Sequence, residues 1–524
     1  MDAFASLIQP HGPLLAVHWW VSATADFKAI DRVGLMRFRV IADGLGLVLM
    51  GMSFAYVLPI MAGVWFDENK VLLFQAYGIP LIISFVGGLG LRLLMKRQYE
   101  QLRITEAMVL VAVAWLILAI IGTIPYMVVI PDSLTSGIVD AFFESMSGFT
   151  TTGSTILSGL DDMPKSILLW RSLTEWLGGM GVIVLSVAIL SRFFGGRANP
   201  LLMQAEVPGD RVTRMAPRMA QTARLLWGIY VLFTAMEALI LLFLGMGAFD
   251  AINHAFTTLP TGGFSTKDLS IAYWHNPAIE LTIMTFTLLS GTSFVLHYHA
   301  LRGKWRMYLH DPEFRFAILI ITFGILFITG DLVVRGIYSL GDSARFASFQ
   351  VISITTTTGY ATADYNLWPL SSQLMLIFLM FFGGTLGSTG GAIKMLRMLI
   401  ILKSIRLLFY RATHRRGVFH VKLGRVTIDD GQVASTAAYV MLYLGLAAGG
   451  MMVLAMQGVD LVTAGSASVT AISNVGPGLG GVGPTSNFAA LPALSKVVLA
   501  LLMWIGRLEI LGCLLLFSPR AIRE

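Results

Sequence analysis

Ser353-Ile-Thr-Thr-Thr-Thr-Gly-Tyr-Ala-Thr362 lies between two long apolar segments, yet it is almost entirely hydroxyl and glycine. Hydrocarbon offers no water to satisfy backbone polar groups, so such a stretch at membrane depth has to line a wet path instead of facing lipid. Backbone carbonyls aimed into that path would suit a dehydrated cation. Three more stretches share the character: Gly148-Phe-Thr-Thr-Thr-Gly-Ser-Thr155, Thr257-Thr-Leu-Pro-Thr-Gly-Gly-Phe-Ser-Thr266 and Ser473-Asn-Val-Gly-Pro-Gly-Leu-Gly480.

The composition around them is that of a membrane protein. Hydrophobic residues make up 56% of the 524, charged residues 13%, and the mean hydropathy is +0.75, against roughly 25% charged in a soluble domain. Apolar runs recur along the whole length, so the chain is expected to cross the membrane many times, with no separate soluble domain. The first 39 residues carry Asp2, Asp26, Lys28, Asp31, Arg32 and Arg37 without the apolar core of a cleaved signal peptide. Within them, Ala16-Val-His-Trp-Trp-Val-Ser22 reads either as an interfacial piece or as an unstructured terminus. The single cysteine, Cys513, is expected to be a buried apolar side chain. The net charge of +7 is read as a signal of topology and not of nucleic-acid binding.

Outward from the polar stretches, one unit recurs four times: an apolar span, a short segment with small residues, a polar loop and a second span. The expected spans are 104–130 and 167–194, 222–247 and 277–300, 314–338 and 371–408, and 433–456 and 491–517, after a hairpin of 40–65 and 72–95. The division is a cytoplasmic N-terminus 1–39, a hairpin 40–103, and repeats 104–221, 222–313, 314–432 and 433–524. The fold class is therefore an all-α polytopic membrane protein of ten spans. Its four parallel span–pore loop–span repeats stand in pseudo-fourfold arrangement, with an N-terminal two-helix hairpin.

Charge sets the orientation. Of the 37 Lys and Arg residues, 29 fall on the side that holds the termini and the segments between repeats, and the positive-inside rule makes that side cytoplasmic. The polar loops then open outward, beside Asp132, Asp140, Asp161, Asp162, Asp250, Asp268, Asp342, Asp364 and Asp460. An acidic vestibule of this kind concentrates cations.

The short segments before the loops, 137–149, 248–258, 345–355 and 461–472, cannot cross a bilayer. As half-helices entering from outside, each would point the negative end of its dipole at the axis. The filter positions are Thr151, Thr152 and Gly153; Pro260, Thr261 and Gly262; Thr357, Thr358 and Gly359; and Asn474, Val475 and Gly476. They offer carbonyls and hydroxyls without a carboxylate, which suits a monovalent cation and disfavours calcium or magnesium. The only metal expected is the passing ion, held by the filter carbonyls. No covalent cofactor and no catalytic residue is expected.

A second glycine-rich run, Gly383-Gly-Thr-Leu-Gly-Ser-Thr-Gly-Gly391, should interrupt the second span of the third repeat or permit close helix packing. Lys394 follows it, and Arg507 lies within the last span. An arginine at the bilayer centre costs about 2.5–3.5 kcal/mol, so Arg507 is expected to face the wet path or an acid. Glu175 and Glu237 are intramembrane acids to which no transport role is given. His297 and His299 read as interfacial residues and not as metal ligands. Gly476-Pro-Gly-Leu-Gly-Gly481 matches a dinucleotide pattern only by accident, since no strand precedes it.

Together, Glu144-Ser-Met-Ser-Gly-Phe-Thr-Thr-Thr-Gly-Ser-Thr155, Trp176-Leu-Gly-Gly-Met-Gly-Val182, Thr356-Thr-Thr-Gly-Tyr-Ala-Thr-Ala-Asp364 and Gly506-Arg-Leu-Glu509 resemble the Trk/Ktr/HKT potassium transporter superfamily, in its bacterial Trk branch. Gly262-Gly-Phe-Ser-Thr266, Gly384-Thr-Leu-Gly-Ser-Thr-Gly-Gly-Ala-Ile-Lys394 and Asn474-Val-Gly-Pro-Gly-Leu-Gly480 agree with it. In that superfamily a glycine in all four loops goes with potassium preference, and serine at the first goes with sodium in some plant relatives. Gly153 places this chain with the potassium type. Pro260 and Asn474 depart from the other loops, which leaves selectivity over Na+ open.

The resemblance implies potassium uptake across a bacterial inner membrane, with both termini cytoplasmic. It implies that the run with Gly383, Gly384, Gly387, Ser388, Thr389, Gly390 and Gly391 is an intramembrane gate loop beneath the filter; Lys394 and Arg507 join it as candidates by their place at membrane depth, Arg507 as a positive barrier or within a structural ion pair. It also implies a homodimer in lipid on a cytosolic nucleotide-binding regulatory ring (TrkA-like), any nucleotide such as NAD or ATP being bound by that partner. K+/Na+ or K+/H+ symport is the alternative, and a non-transporting membrane scaffold a remote one.

Overall fold

The computed structural model describes residues 37–95, 104–129, 134–193, 215–414, 419–424, 426–510 and 513. Most of the expected cytoplasmic N-terminus, residues 1–36 with the segment 16–22, lies outside the described residues, as do the basic residues Arg520 and Arg523. So do Lys96, Arg97, Asp132 and the end of the last expected span.

Helices α1 (Phe38–Trp65) and α2 (Lys70–Leu94) form the N-terminal hairpin. Their backbones meet at two glycines: a Cβ at Gly46 would stand 2.7 Å from the Gly88 carbonyl oxygen, and one at Gly88 would stand 2.6 Å from that of Gly46. Such close approach is the small-residue packing of helices in lipid. The first helices of the four repeats are α3 (Glu106–Val129), α6 (Met215–Phe243), α10 (Pro312–Val334) and α14 (Asp430–Met456). Large apolar side chains such as Leu232, Phe243, Leu319, Leu326, Met441 and Met452 stay exposed on them, as a lipid-facing surface requires.

Each first helix leads to a half-helix: α4 (Leu134–Phe149), α7 (Ala248–Thr258), α11 (Leu340–Thr355) and α15 (Leu461–Ser473). Two begin on side-chain caps, the Ser339 hydroxyl accepting from the Asp342 amide at 3.2 Å and the Asp460 carboxylate from the Thr463 amide at 3.0 Å. Capping satisfies amides that the first turn leaves without partners. All four end where the Thr- and Gly-rich loops begin.

The second helices are less regular. Repeat 1 has one long helix, α5 (Lys165–Phe193), and repeat 4 has α16 (Ala493–Arg507). In repeat 2, where one span over 277–300 was expected, α8 (Pro277–Ser290) and α9 (Phe294–Leu301) meet at 102° across Gly291-Thr292-Ser293. In repeat 3, α12 (Leu370–Met380) and α13 (Met395–Thr413) are separated by the glycine-rich run, which interrupts the helix as expected.

Among the described residues six helices are long and apolar enough to cross a membrane, seven with the bent pair. Against the expected ten spans, these are the hairpin, the four first helices and the bent pair. After α13 a short antiparallel hairpin, β1 (Val421–Leu423) with β2 (Val426–Ile428), turns at Gly424. It is an addition to the all-α expectation, and it packs Val421, Leu423 and Ile428 against Leu386, Leu396, Leu399 and Ile400.

Candidate functional site

The four polar loops share one backbone. Thr151, Thr261, Thr357 and Asn474 have φ between +50° and +63°, and two residues on Gly153, Gly263, Gly359 and Gly476 have φ between +79° and +110°. The amides repeat as well: Thr151, Thr261, Thr357 and Asn474 donate to the carbonyl three residues back, and Thr152, Gly262, Thr358 and Val475 to the one five back. Left-handed backbone is strained for threonine and costs about 1–2 kcal/mol per residue, so its recurrence in four loops marks an imposed geometry.

This register corrects the second loop. Its equivalent positions are Thr261, Gly262 and Gly263, one residue beyond the expected Pro260, Thr261 and Gly262. Two adjacent glycines made the choice ambiguous in sequence, and the φ of +86° at Gly263 resolves it.

The loops close into a ring. A Cβ added at Gly153 would collide with the carbonyl oxygen of Gly262, one at Gly263 with that of Thr358, and one at Gly359 with that of Val475. The circle is completed by Gly476, whose added Cβ would stand 2.8 Å from the Thr152 oxygen. Each left-handed glycine thus abuts the middle carbonyl of the next loop, in the order 1, 2, 3, 4 and back to 1. Side chains tie the same neighbours: Ser154 Oγ donates to the Gly476 carbonyl at 2.8 Å, Asn474 Nδ2 to Thr152 Oγ1 at 2.9 Å, and the Tyr360 hydroxyl lies 2.5 Å from Thr257 Oγ1.

Behind the ring, Glu144 and Arg171 form an ion pair at 2.8 Å with side chains at most 1% exposed. Arg171 Nη1 also donates to the Ser265 carbonyl at 3.0 Å, and its guanidinium lies 4.1 Å from the Phe264 ring centre. The pair therefore fastens loop 1 to loop 2. Glu144 was visible only as part of a motif, and nothing in the sequence singled out Arg171.

Beneath the ring lies the segment between α12 and α13, holding Gly383, Gly384, Gly387, Ser388, Thr389, Gly390 and Gly391. Phe382 and Ile393 form a parallel bridge that closes it into a loop. The loop meets the C-terminal ends of three half-helices: Thr389 Oγ1 donates to Leu259 O at 2.9 Å, the Gly391 amide to Thr357 Oγ1 at 2.7 Å, and the Ala392 amide to Ser473 O at 2.9 Å. The bend of repeat 2 receives it too, Thr385 and Thr389 donating to Gly291 and Ser290 and Phe294 donating to Gly387 O. Glycine is required at 391 by close approach, since a Cβ there would stand 2.5 Å from Ser473 O.

The two basic residues named from sequence reach this loop. Lys394 Nζ donates to the Gly390 carbonyl, and Arg507 Nη1 to the Thr389 carbonyl at 2.8 Å. Both side chains are buried. Among the described residues Arg507 makes no ion pair, and its Nε and Nη2 have no hydrogen-bond acceptor. Glu509, its neighbour in sequence, instead pairs with Arg397 at 2.5 Å.

Glu175 and Glu237 are fully buried; Glu175 Oε2 accepts from the Phe264 amide at 3.2 Å. His297 spans the repeat-2 bend, 2.8 Å from Leu289 O and 2.5 Å from the Tyr308 hydroxyl. Among the described residues no group of three His, Cys, Asp or Glu is placed to hold a metal ion.

Residues 75–522 match the family model TrkH, described as a cation transport protein. The chain is 38% identical over 497 residues to the Trk system potassium uptake protein TrkH of Halomonas elongata, covering 93% of this chain and 100% of that one. It is 37% identical over 492 residues to the Escherichia coli K12 protein of the same name, with the same coverage. It also superposes on the crystal structure of the potassium transporter TrkH from Vibrio parahaemolyticus with a TM-score of 0.83 and 32% identity, over 93% of this chain and 100% of that one.

Proposed function

The chain belongs to the TrkH family of cation transport proteins, a transporter and not an enzyme, and on that footing we propose that it takes up potassium through the ring of four loops. The observation that carries this reading is the cyclic packing of Gly153, Gly263, Gly359 and Gly476 against the carbonyls of Gly262, Thr358, Val475 and Thr152. That packing brings one backbone carbonyl of each loop against the glycine of the loop before it. Neutral carbonyls can replace the hydration shell of a monovalent ion, while a divalent ion would draw on carboxylates that these loops do not contain. The half-helices add the negative ends of their dipoles.

The loop 383–391 serves as the gate, with Lys394 anchoring it and Arg507 placing positive charge beneath the ring. The β1–β2 hairpin shares an apolar cluster with Leu386 of that loop, which offers a mechanical route from a cytosolic partner. We assign the partner as a nucleotide-binding regulatory ring, the assembly as a homodimer, and the site as a bacterial inner membrane with cytoplasmic termini. A 100 mV potential supplies about 2.3 kcal/mol per charge, so accumulation requires no coupling. K+/H+ symport is a second reading, favoured by Glu237, a buried intramembrane acid that makes no ion pair among the described residues.

Rubidium uptake into proteoliposomes tests the proposal. Gly359→Leu should abolish it, because the new side chain enters the space of the Val475 carbonyl. Uptake persisting at the wild-type rate would refute the ring as the path. Uptake that ceases in Glu237→Gln while the ring stays intact would favour symport.

A further inference from the structure

We infer that Glu313 is the latch that holds the intramembrane loop in place, a positioning residue for gating; the inference rests on the loop 383–391 being the gate. Glu313 stands in the first turn of α10, where an acid is expected merely to complement the helix dipole. Its bonds go elsewhere. Oε1 accepts from the amide of Leu386, inside the loop, at 2.7 Å, and from the amide of Leu396, in the first turn of α13, at 2.9 Å. One carboxylate oxygen therefore joins the middle of the loop to the helix that resumes after it.

Capping of α10 does not need Glu313, because Asp311 accepts from the Phe314 amide at 2.7 Å and fills that role. Glu313 is 8% exposed, so its carboxylate is committed to the loop and not to water. Other restraints on the loop come from the repeats around it, Arg507 on the Thr389 carbonyl and Phe294 on the Gly387 carbonyl, and from its own repeat, Thr357 on the Gly391 amide and Lys394 on the Gly390 carbonyl. Glu313 is the restraint contributed by the first helix of the loop's own repeat. It acts next to Leu386, the loop side chain that packs with Val421, Leu423 and Ile428 of the β hairpin. A displacement of the hairpin would thus be felt at the latched residue.

The latch is made of two amide bonds to one carboxyl oxygen, each able to shift an equilibrium by up to about tenfold. Removing it should free the loop. The test is amide hydrogen exchange of the full-length protein in lipid nanodiscs, with rubidium uptake by the same protein in liposomes. In Glu313→Ala, amides across 383–396 should exchange roughly tenfold faster while those of the four ring loops keep their protection, and uptake in the absence of any partner should rise. Glu313→Gln, whose side-chain carbonyl can still accept both bonds, should stay near wild type in both measurements. If the alanine variant does not fold, Glu313→Asp keeps the carboxyl group but is one methylene too short for both amides, and it should show the same faster exchange.

Unchanged exchange in the alanine or aspartate variant would overturn the inference, as would a glutamine variant that exchanges as fast as the alanine one. A wild-type protein that carries no rubidium would instead sink the transport reading, leaving exchange to judge the latch.

Discussion

A methyl group at Gly263 would meet two obstacles at once, the Thr358 carbonyl oxygen and a φ of +86°. At Gly262 the added Cβ would meet the end of the Glu175 side chain and no backbone carbonyl among its nearest neighbours, and the backbone there is not left-handed. We therefore expect Gly263→Ala to cut rubidium uptake by roughly tenfold or more, the left-handed strain alone being about 1–2 kcal/mol, and Gly262→Ala to cost distinctly less. Uptake assays on the two variants side by side check the register of the second loop. Arg171 is the second residue with a sharp expectation. Removing it leaves Glu144 buried without its counter-ion, which costs about 3–5 kcal/mol. Thermal unfolding in detergent should show Arg171→Ala well below wild type, whereas Arg302→Ala, which changes a 4.5 Å stack on Tyr298, should differ little. Neither the Gly262/Gly263 choice nor the Arg171 role could be read from sequence. Adjacent glycines look alike until φ is known, and a charge in an apolar span says that it needs a partner without saying which.

The elements were more legible than the residues. Four half-helices, four loops and the interruption after α12 follow from hydropathy and glycine placement, because each is a local departure from an otherwise apolar run. The bend between α8 and α9 was missed although Ser290-Gly291-Thr292-Ser293 interrupts the apolar run, because so short a polar stretch is also compatible with an unbroken helix; in the fold the loop from repeat 3 docks there. Three-residue strands around Gly424 are too short to show a period. Within this layer Arg507→Ala should raise basal cation leak, since it removes both a buried positive charge and the bond to the Thr389 carbonyl. Liposome flux without any activating partner measures this, and leak equal to wild type would remove Arg507 from the barrier role.

At the scale of the molecule, the ring makes four dissimilar loops equivalent in backbone while leaving them unequal in side chain. Pro260 precedes one and Asn474 occupies another, so the ring of loops is fourfold only in its main chain. The loop beneath is not fourfold at all: it comes from repeat 3 and touches the ends of the half-helices of repeats 2, 3 and 4. On the proposed function, conduction and gating would fall to different parts of the chain. A variant that weakens the ring should alter ion preference, and one that weakens the loop should alter flux at constant preference. The measurement that bears most directly on the ring as a potassium path is the reversal potential of purified protein in liposomes under opposed K+ and Na+ gradients. Our account predicts a potential that follows the K+ gradient and does not move when external pH is changed. A potential near zero under equal and opposite gradients, or one that follows the pH gradient, would contradict it.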